Sequence, residues 1–507
     1  MAETKREIER KYESDDSGLP DLTGVAGVAA VLDKGVADLD ATYYDTADQR
    51  LAAHSLTLRR RTGGSDAGWH LKFPVGPGVR DEVQAPLSDT LPRALAGLVR
   101  SRVRGAELLP VVRLRSARDL RHLVDADGTL LAEVSVDAVH AERLSGGDGA
   151  AQWTEIEVEL ADGGDPALLD KLEKRLRRAG VRPSKSSSKL ARALKETARK
   201  APKGSGKKGG GKKEQPAPLT TGDHVLAYLH AQRDAIVTLD PAVRRDVFDS
   251  VHAMRVATRR MRSAFRSYGK VLDRTVTDPV GEELKWLAGE LGAGRDQEVL
   301  TERLTGLLGE VPRPLLIGPV RTRLRTWSNA RRSGSRRRMI AVLDGRRYLA
   351  LLDTLDALLA DPPLLKAAGA APEKAIAKAV DKDMAALTAL VDRALDLPPG
   401  PDRDLALHEA RKKAKRTRYA AEAATPALGD PAATLTKSMK RLQGLLGEHQ
   451  DSVMSREALR DLAVQAHAAG ESTFTYGVLY GREEQRAARA EAELPVMWTT
   501  IGRQRDG

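Results

Sequence analysis

The hydrophobic and polar positions of this 507-residue chain follow two different periods. In the first two fifths, short runs alternate between apolar and charged side chains with a period of two, which is the side-chain period of a β-strand. From Asp223 onward, long segments rich in Ala, Leu, Arg and Glu repeat with a period of 3.6, which predicts helices. We therefore expect a strand-rich N-terminal domain over residues 1–198 and an all-helical C-terminal domain over residues 220–507.

A segment of low hydrophobicity separates the two domains. Residues 199–219 are rich in Lys, Gly and Pro and include the run KKGGGKK at 207–213. Because this composition offers almost no apolar side chains for a core, we predict a flexible, extended linker. A basic arm that helps to capture a polyanion is the alternative interpretation.

The first predicted strand carries charges at regular spacing. Glu7, Glu9 and Lys11 lie two residues apart, so they project from one face of a strand while Ile8 and Tyr12 project from the other. Two carboxylates at this spacing can share a hard divalent cation, and the lysine can contact an anion bound to that cation. A solvated edge strand is the simpler explanation of this pentapeptide taken alone.

Later strands repeat this arrangement of charges. We predict strands at 41–46, 56–62, 69–73, 111–115, 130–137 and 153–160, and a loop with a short helix at 22–36. Basic side chains occupy the middle strands, whereas Glu155, Glu157 and Glu159 share one face of the last strand. In an ordinary small barrel the aliphatic faces point inward and the charges are solvated. In a barrel with a polar lumen, carboxylates can hold a cation while arginines and lysines hold phosphate oxygens.

The composition limits the partners and the kinds of site that this chain can have. Lys and Arg number 83 against 71 Asp and Glu, and this formal charge of +12 suggests an anionic partner such as nucleic acid, a phosphate-rich polymer or a membrane surface. Because the chain has no cysteine, disulfides, thiolate metal sites and thiol nucleophiles are excluded. The N-terminus has no apolar h-region, and no apolar run reaches about 18 residues, so we expect neither a signal peptide nor a membrane span.

Taken together, the strands resemble the CYTH domain of the triphosphate tunnel metalloenzyme family. Glu7, Glu9 and Lys11 match the Glu-x-Glu-x-Lys signature, and the 43–46 segment, the LTLRRR strand at 56–61 and the EIEVE strand at 155–159 are also similar. The resemblance implies an eight-stranded antiparallel β-barrel with a tunnel. It also implies hydrolysis of inorganic triphosphate or a related triphosphate with Mg²⁺ or Mn²⁺ as cofactor.

The same resemblance implies roles for individual side chains. The metal ligands would be Glu7, Glu9, Asp137, Glu157 and Glu159, with Glu155 as the alternative to Glu159. The phosphate path would be lined by Lys11, Arg59, Arg61, Lys72, Arg113, Arg115, Lys185 and Lys189, with Arg118 as the alternative to Arg115. The catalytic set would be Glu7, Glu9 and Lys11. One carboxylate would act as the general base, and the sequence does not select which.

The helical domain contains an internal repeat. Segment 251–262 aligns with segment 407–418, because each begins with a histidine in its second position and carries basic residues three, seven, eight and ten positions after it. Downstream, segment 291–296 is similar to segment 446–451. At about 100° per residue, two basic stripes result: His252, Arg255, Arg259 and Arg262 on the first helix, and His408, Arg411, Lys415 and Arg418 on the second. Two such helices facing each other would form a positively charged groove.

This half of the chain resembles the CHAD domain, on the His-x-x-Arg-x-x-x-Arg-Arg-x-Arg pattern and its second copy. The resemblance implies a bundle of two four-helix halves that binds inorganic polyphosphate through the two stripes. Two histidines far apart in sequence and without acidic neighbours are a weak metal signal, so we expect them to contact phosphate. We expect a cytoplasmic protein associated with polyphosphate granules, with neither a membrane nor a specific nucleic acid as partner.

Three other functions stay open on the sequence alone. A non-catalytic polyphosphate-binding protein would use both domains without turnover. Nucleic-acid binding is disfavoured, because aromatic residues, which stack on bases, make up only 4% of the chain. Adenylyl cyclisation occurs elsewhere among CYTH proteins, but no feature of this sequence selects an adenine.

Overall fold

The computed structural model describes residues 3–14, 18–198, 219–332 and 334–506. The chain divides into two compact units, Met1–Gly211 and Lys212–Gly507. The predicted linker at 199–219 lies outside the described residues except for Leu219. Within the described part of the chain, no helix is both long enough and apolar enough to cross a membrane.

Eight antiparallel strands of the N-terminal unit close into a ring, which confirms the predicted fold class. The strands are β1 (Glu3–Ser14), β2 (Ala30–Asp45), β3 (Thr57–Thr62), β4 (Gly68–Gly76), β5 (Val79–Pro86), β6 (Leu109–Val124), β7 (Leu130–Arg143) and β8 (Ala150–Leu160). Their order is β5-β4-β3-β2-β6-β7-β8-β1, and pairing of β1 with β5 closes the ring. A two-residue strand, β9 (Arg182–Pro183), pairs with β1.

The apolar faces of many strands point outward and are covered by helices. The helices of this unit are α1 (Arg93–Val103), α2 (Ala167–Arg178) and α3 (Lys189–Glu196). Leu98 of α1 shares a buried cluster with Leu71 of β4. Leu172 of α2 shares another with Val158 of β8 and Tyr12 of β1. Because strand side chains alternate between the two faces, this outward burial turns the charged positions toward the interior of the ring.

The third helix packs on a different face of the sheet. It lies against β6, β7 and β8. Leu190 of α3 shares a buried cluster with Leu114 and Val139. By alternation, these two residues lie on the same strand faces as Arg118 and Asp137. The first half of β6 therefore presents apolar side chains to α3, and only its second half presents charge on that face.

Two parts of this unit differ from the sequence interpretation. The loop predicted at 22–36 is confirmed only up to residue 29 and the short helix predicted there is wrong, because β2 begins at Ala30 and pairs with β6. The first half of β2 is mostly exposed, so backbone pairing holds it in place and its side chains carry no apolar alternation. Strand β5 and helix α1 were not predicted.

The C-terminal unit is helical, as predicted. Its helices are α4 (Thr221–Arg244), α5 (Ser250–Ser267), α6 (Arg274–Gly309), α7 (Val320–Arg332), α8 (Ser335–Asp344), α9 (Arg346–Ala360), α10 (Pro372–Asp396), α11 (Pro401–Leu428), α12 (Asp430–Ala468) and α13 (Phe474–Asp506). One hydrophobic core joins α4, α5, α6, α8 and α9 and extends to α10, α11 and α12, and another joins α10 to α13. Helix α5 packs against α11, and α6 packs against α12. The two copies of the repeat therefore lie side by side.

Candidate functional site

Side chains from seven of the eight strands line a cavity inside the ring, and six of these strands contribute charged residues. The lining residues are Glu7, Glu9, Lys11, Tyr43, Thr57, Arg59, Arg61, Asp66, Lys72, Arg80, Glu82, Arg118, Glu157, Glu159, Ser188 and Lys189. Because strand side chains alternate, charges that are two residues apart in the sequence enter the same space. The cavity thus holds carboxylates and cations in direct contact.

Three carboxylates on β7 and β8 converge around an ammonium group. Asp137, Glu155 and Glu157 offer oxygen atoms that all lie within 4.8 Å of one another. Lys189 at the start of α3 places its Nζ 2.9 Å from Asp137 Oδ2 and 2.7 Å from an oxygen of each glutamate. Burial lowers the pKa of Lys189, but the three carboxylates outweigh burial and raise it above its usual value. This ammonium group therefore stays charged at neutral pH.

The three cavity-lining residues of β1 connect this cluster to the rest of the cavity. Lys11 Nζ contacts Glu157 and lies 3.1 Å from Glu9 Oε2. Lys72 Nζ donates to Glu7 Oε2 at 2.5 Å. Burial, aided by neighbouring carboxylates and opposed by Lys72, raises the pKa of Glu7 to about 7. Burial also acts to raise the pKa of Glu9, but Lys11 and other cations outweigh it and the pKa is lowered.

Glu82 of β5 is the carboxylate on the basic side of the cavity. It lies 3.0 Å from His70 Nδ1, 3.6 Å from Lys72 Nζ and 3.8 Å from Arg59 Nη2. Burial acts to raise the pKa of Glu82, but Lys72, His70 and Arg59 together bring it far below its usual value. Burial lowers the pKa of His70 to about 4, so this imidazole is neutral at pH 7.

Arg118 of β6 joins the basic and acidic sides of the cavity. Its Nε and Nη2 donate to the two oxygens of Asp137 at 2.8 Å each, and Nη2 also donates to Glu157 Oε2 at 3.2 Å. Burial acts to lower the pKa of Arg118, but Asp137 and Glu157 outweigh it and the pKa is raised. The structure thus brings Arg118, the alternative to Arg115, into the cavity.

Three of the predicted phosphate ligands lie outside the cavity. Arg113 is paired with Asp40 at 2.5 Å, and 57% of the Arg115 side chain is exposed. The reason is local, because Leu114 faces α3 and alternation turns both neighbouring arginines to the opposite face. Lys185 is exposed in the segment between β9 and α3. The other predicted phosphate ligands, Lys11, Arg59, Arg61, Lys72 and Lys189, all line the cavity.

The predicted metal ligands are divided between two places. Asp137 and Glu157 lie together with Glu155, whereas Glu159 lines the cavity elsewhere and its Oε1 lies 2.7 Å from Lys5 Nζ. The converging set consists only of carboxylate oxygens, which are the donors that Mg²⁺ and Mn²⁺ prefer. The residues present therefore fit a hard divalent cation, on condition that the Lys189 ammonium gives way.

The sequence interpretation missed several lining residues. Tyr43 lay within a predicted strand but received no role, and the strand that carries Arg80 and Glu82 was not recognised. A signal was present, because the charged Arg80 and Glu82 lie two residues apart at 79–84, as the charged residues of β1 do.

A second charged cavity, which we call the basic groove, lies in the helical unit between α5, α6, α11 and α12. It has a volume of about 340 Å³. Its lining residues are His252, Arg255, Arg259, Asp296, Val299, Leu300, Arg303, Arg411, Lys415, Asp451 and Met454. The groove thus joins five predicted side chains of the two stripes with residues from the next helix of each repeat.

The cations of the basic groove differ in their partners. Arg255 donates to Asp296 at 2.9 and 3.1 Å, and Arg303 is paired with Glu448 and Glu483. In contrast, Arg259, Arg411 and Lys415 have no carboxylate within ion-pair distance among the described residues. Burial, reinforced by Arg411 and Arg259, lowers the pKa of Lys415 to about 7. Arg259 and Arg411 thus concentrate positive charge in the groove, and this charge together with burial favours the neutral form of Lys415.

A glycine supports the leading arginine of each stripe. Arg255 lies on Gly292 of α6 so closely that a Cβ at this glycine would stand 2.6 Å from Nη2. Arg411 lies over Gly447 of α12 with more room, because a Cβ there would be 3.8 Å from Nη2. The two glycines occupy matching positions in the downstream part of the repeat. Both copies therefore build the same arginine–glycine contact.

Three predicted residues of the stripes do not line the basic groove. Arg262 lies in a neighbouring pocket beside Arg266 and Arg274. His408 Nδ1 is 2.5 Å from Gln450 Oε1. Arg418 stacks over a tyrosine ring, with its guanidinium carbon 4.8 Å from the centroid. Missed residues of the groove include Arg303, on the helix that follows the first stripe.

Two domain families match the chain. The CYTH domain matches residues 5–194, and the CHAD domain matches residues 227–460. Two proteins of Mycobacterium tuberculosis, uncharacterized protein MT2285 and uncharacterized protein Rv2226, are each 38% identical over 96% of this chain and 94% of their own length.

Solved structures are similar to one unit at a time. PptA from Streptomyces chartreusis is 21% identical over 55% of this chain and 99% of its own, with a TM-score of 0.46. The CHAD domain from the plant Ricinus communis is 23% identical over 56% of this chain and 93% of its own, with a TM-score of 0.44. HpAC1 from Hippeastrum, described as having a dominant triphosphatase activity, is 18% identical over 37% of this chain and 95% of its own, with a TM-score of 0.24.

Proposed function

Because the chain belongs to the family of proteins in which a CYTH domain is followed by a CHAD domain, we propose that it acts on phosphoanhydrides. In this proposal the ring hydrolyses inorganic triphosphate or a related triphosphate with Mg²⁺ or Mn²⁺, and the helical unit binds polyphosphate.

The observation that carries the proposal is the pairing of opposite charges inside the ring. Lys189 and Lys11 hold carboxylates that fit a divalent cation, and Lys72 and Arg118 are held by carboxylates in turn. A metal–triphosphate complex carries positive and negative charge. Its metal can therefore replace the lysines that contact the carboxylates, while its phosphates replace the carboxylates that contact Lys72 and Arg118. A bound cation supplies Lewis acidity at the phosphate oxygens.

The chain's own side chains then position the substrate. Arg59, Arg61, Lys72 and Arg118 offer cationic donors to phosphate oxygens, and arginine can do so in bidentate geometry. Their charge offsets the negative charge that develops on those oxygens during in-line transfer to water. Glu7, with its pKa raised by burial to about 7, is the carboxylate best matched to accept a proton from the attacking water at neutral pH.

The basic groove supports the second half of the proposal. Arg259, Arg411 and Lys415, which have no ion-pair partner in the part of the chain that the structure describes, come from both copies of the repeat and face one cavity. A polyphosphate chain presents one negative charge at each phosphate, so it can contact several of these cations along its length.

The proposal is tested by phosphate release from inorganic triphosphate with the full-length protein, first with Mg²⁺ and then with Mn²⁺. We expect metal-dependent turnover that Glu9→Ala abolishes while the affinity for long-chain polyphosphate stays unchanged. Turnover that does not depend on Glu9, or no turnover with any short triphosphate from a folded protein, would refute the catalytic part.

One observation favours a second candidate, a polyphosphate-binding protein without turnover. Lys189 already holds the place of a cation among Asp137, Glu155 and Glu157. If the Lys189 ammonium group stays in this position when metal and substrate are present, the three carboxylates cannot bind a metal. Only the basic groove then binds a ligand. The second candidate predicts that neither the wild type nor Lys189→Met hydrolyses triphosphate, whereas the first predicts metal-dependent turnover by the wild type.

A further inference from the structure

A second cluster of metal-ligating side chains lies in the helical unit and consists of residues other than those that line the basic groove. Asp404 of α11, His449 of α12 and Glu491 of α13 each offer one ligand atom, and these atoms all lie within 4.8 Å of one another. None of the three lines the basic groove or the ring cavity. The His449 side chain is only 3% exposed, so it is buried where three helices meet.

The distances at His449 are those of ligands around a metal. Its Nε2 lies 3.2 Å from Asp404 Oδ1 and 3.2 Å from Glu491 Oε1. With zinc–ligand bonds of about 2.0–2.2 Å, adjacent ligands of a tetrahedral site stand about 3.3–3.5 Å apart, close to both distances. Without a metal, Nε2 hydrogen-bonds to Glu491, and one N–H can be shared between two acceptors. The convergence of all three ligand atoms on one point is the observation that indicates a metal site.

Two arginines hold the carboxylates by their other oxygens. Arg456 Nη2 lies 3.3 Å from Asp404 Oδ2, and Arg403 Nε lies 3.1 Å from Glu491 Oε2. Each carboxylate is therefore fixed with one oxygen engaged outside the cluster and the other turned toward the imidazole. Such outer partners orient the ligands of protein metal sites and are part of their construction.

From this convergence we propose that Asp404, His449 and Glu491 bind a divalent transition-metal ion, with Zn²⁺ as the reference ion. One imidazole nitrogen and two carboxylate oxygens suit such an ion better than Mg²⁺, which prefers oxygen ligands alone. The bound ion links α11, α12 and α13, so the site stabilises the second half of the helical unit. The inference does not depend on the proposed activity of the ring.

The test uses full-length protein freed of metal with a chelator and titrated with Zn²⁺ by calorimetry. We expect the wild type to bind one more Zn²⁺ per chain than His449→Ala. His467→Ala is the matched control, because it makes the same change at an exposed histidine of the same helix, and it should retain the wild-type stoichiometry. Equal stoichiometry in the wild type and His449→Ala, with both folded, overturns the proposal and leaves the cluster as an ion-pair network.

A second readout separates this site from the ring, whose ligands are carboxylates only. Co²⁺ in a low-coordinate site with an imidazole ligand absorbs visible light strongly, whereas Co²⁺ in a six-coordinate oxygen site absorbs weakly. The strong absorption should be present in the wild type and in Glu157→Gln, and absent in His449→Ala. Its absence from the wild type overturns the proposal.

A conservative variant covers the case in which His449→Ala does not fold. Glu491→Gln keeps the size of the side chain and its contact with Arg403, but it removes the ligand charge. We expect its Zn²⁺ affinity to fall at least tenfold, as for disrupted metal sites generally, and the Zn²⁺-induced rise in Tm to shrink accordingly. Unchanged affinity in this variant counts against the site as directly as an unchanged stoichiometry does.

Discussion

Positively charged side chains line both the ring cavity and the basic groove, but the two sites differ in how these side chains are paired with carboxylates. In the ring, Lys11, Lys72 and Lys189 each lie against carboxylates. In the groove, Arg259 and Arg411 have no carboxylate within ion-pair distance among the described residues. A site with paired charges selects a ligand that carries both signs, such as a metal–phosphate complex. A site with unpaired cations attracts any polyanion and loses affinity as salt screens it.

The largest expected effect comes from removing a carboxylate from the ring. Glu157→Gln breaks contacts with Lys11, Lys189 and Arg118, so we expect triphosphate turnover to fall by about 10²- to 10³-fold, as when one preorganised electrostatic group is lost. Polyphosphate affinity should not change, because the groove is untouched. Phosphate release and polyphosphate binding are measured on the same preparations.

The control for this variant is Glu142→Gln. It makes the same substitution on an outward-facing position of β7, where Glu142 lies 3.8 Å from the exposed Arg115. If Glu142→Gln lost as much activity as Glu157→Gln, the effect would reflect general destabilisation, and the paired-charge description of the ring would fail.

A somewhat smaller effect distinguishes the two arginines of β6. Arg118→Gln should raise KM for triphosphate by about tenfold or more, because a charge-assisted contact is worth about 1.5–3 kcal/mol. Arg115→Gln should leave the kinetics within about twofold of the wild type, since Arg115 lies outside the cavity. The reverse ranking in steady-state kinetics would mean that the side-chain register of β6 is shifted by one residue.

A smaller effect is expected at the glycines of the basic groove. An alanine at position 292 displaces the Arg255 guanidinium, so we expect Gly292→Ala to weaken polyphosphate binding by about threefold to tenfold. Gly447→Ala is the matched control, because Arg411 leaves enough room for a Cβ and both variants gain the same helix propensity. Equal affinities in a titration with labelled polyphosphate would show that the position of Arg255 is unimportant.

The smallest expected effect is the uptake of a proton when polyphosphate binds to the basic groove. Since burial and neighbouring cations lower the pKa of Lys415 to about 7, this amine is mostly neutral at pH 8 in the free groove, and a bound phosphate favours its charged form. Calorimetry at pH 8 in two buffers of different ionisation enthalpy should reveal uptake of up to about one proton. The uptake should disappear in Lys415→Arg, and identical heats in both buffers for the wild type would contradict the assignment.

The lowered pKa of Lys415 also determines the direction in which its contribution to stability changes with pH. Between pH 7 and the ordinary lysine pKa of about 10.4, the unfolded chain binds one more proton at Lys415 than the folded chain does. The contribution of Lys415 to stability therefore increases as the pH rises through this window and is lost as the pH falls toward 7. Denaturant titrations of the wild type and Lys415→Met across this window should differ in slope in that direction.

The sequence predicted the ring and its charges well where one strand face is uniformly charged. Spacing placed Glu7, Glu9 and Lys11 on one strand face, the family resemblance implied their roles, and their side chains lie in one cavity. The resemblance also implied that Arg113 and Arg115 line the phosphate path, but neither side chain lines the cavity. In this part of β6 the interior face is occupied by α3, and a helix that follows only after β7, β8 and α2 leaves no trace in the local alternation.

The sequence predicted that the two basic stripes of the helical unit face one groove, but it did not predict which residues contact each cation. The repeat correctly suggested that Arg255 and Arg411 face one groove. It did not indicate Arg303, nor the loss of Arg418 to a stacking contact with Tyr419. Such outcomes depend on which side chains of neighbouring helices compete for each cation. A single-helix period carries no information about that competition.

The outward burial of the ring's apolar faces separates the residues that fold the domain from those that contact its ligands. Leu71 and Val158 contribute to folding against α1 and α2, on the opposite side of the sheet from Lys72 and Glu157. Replacement of an interior charge therefore leaves the hydrophobic core intact. A domain of this design can change its interior charges over evolution without repacking the hydrophobic core, provided that both members of an ion pair change together.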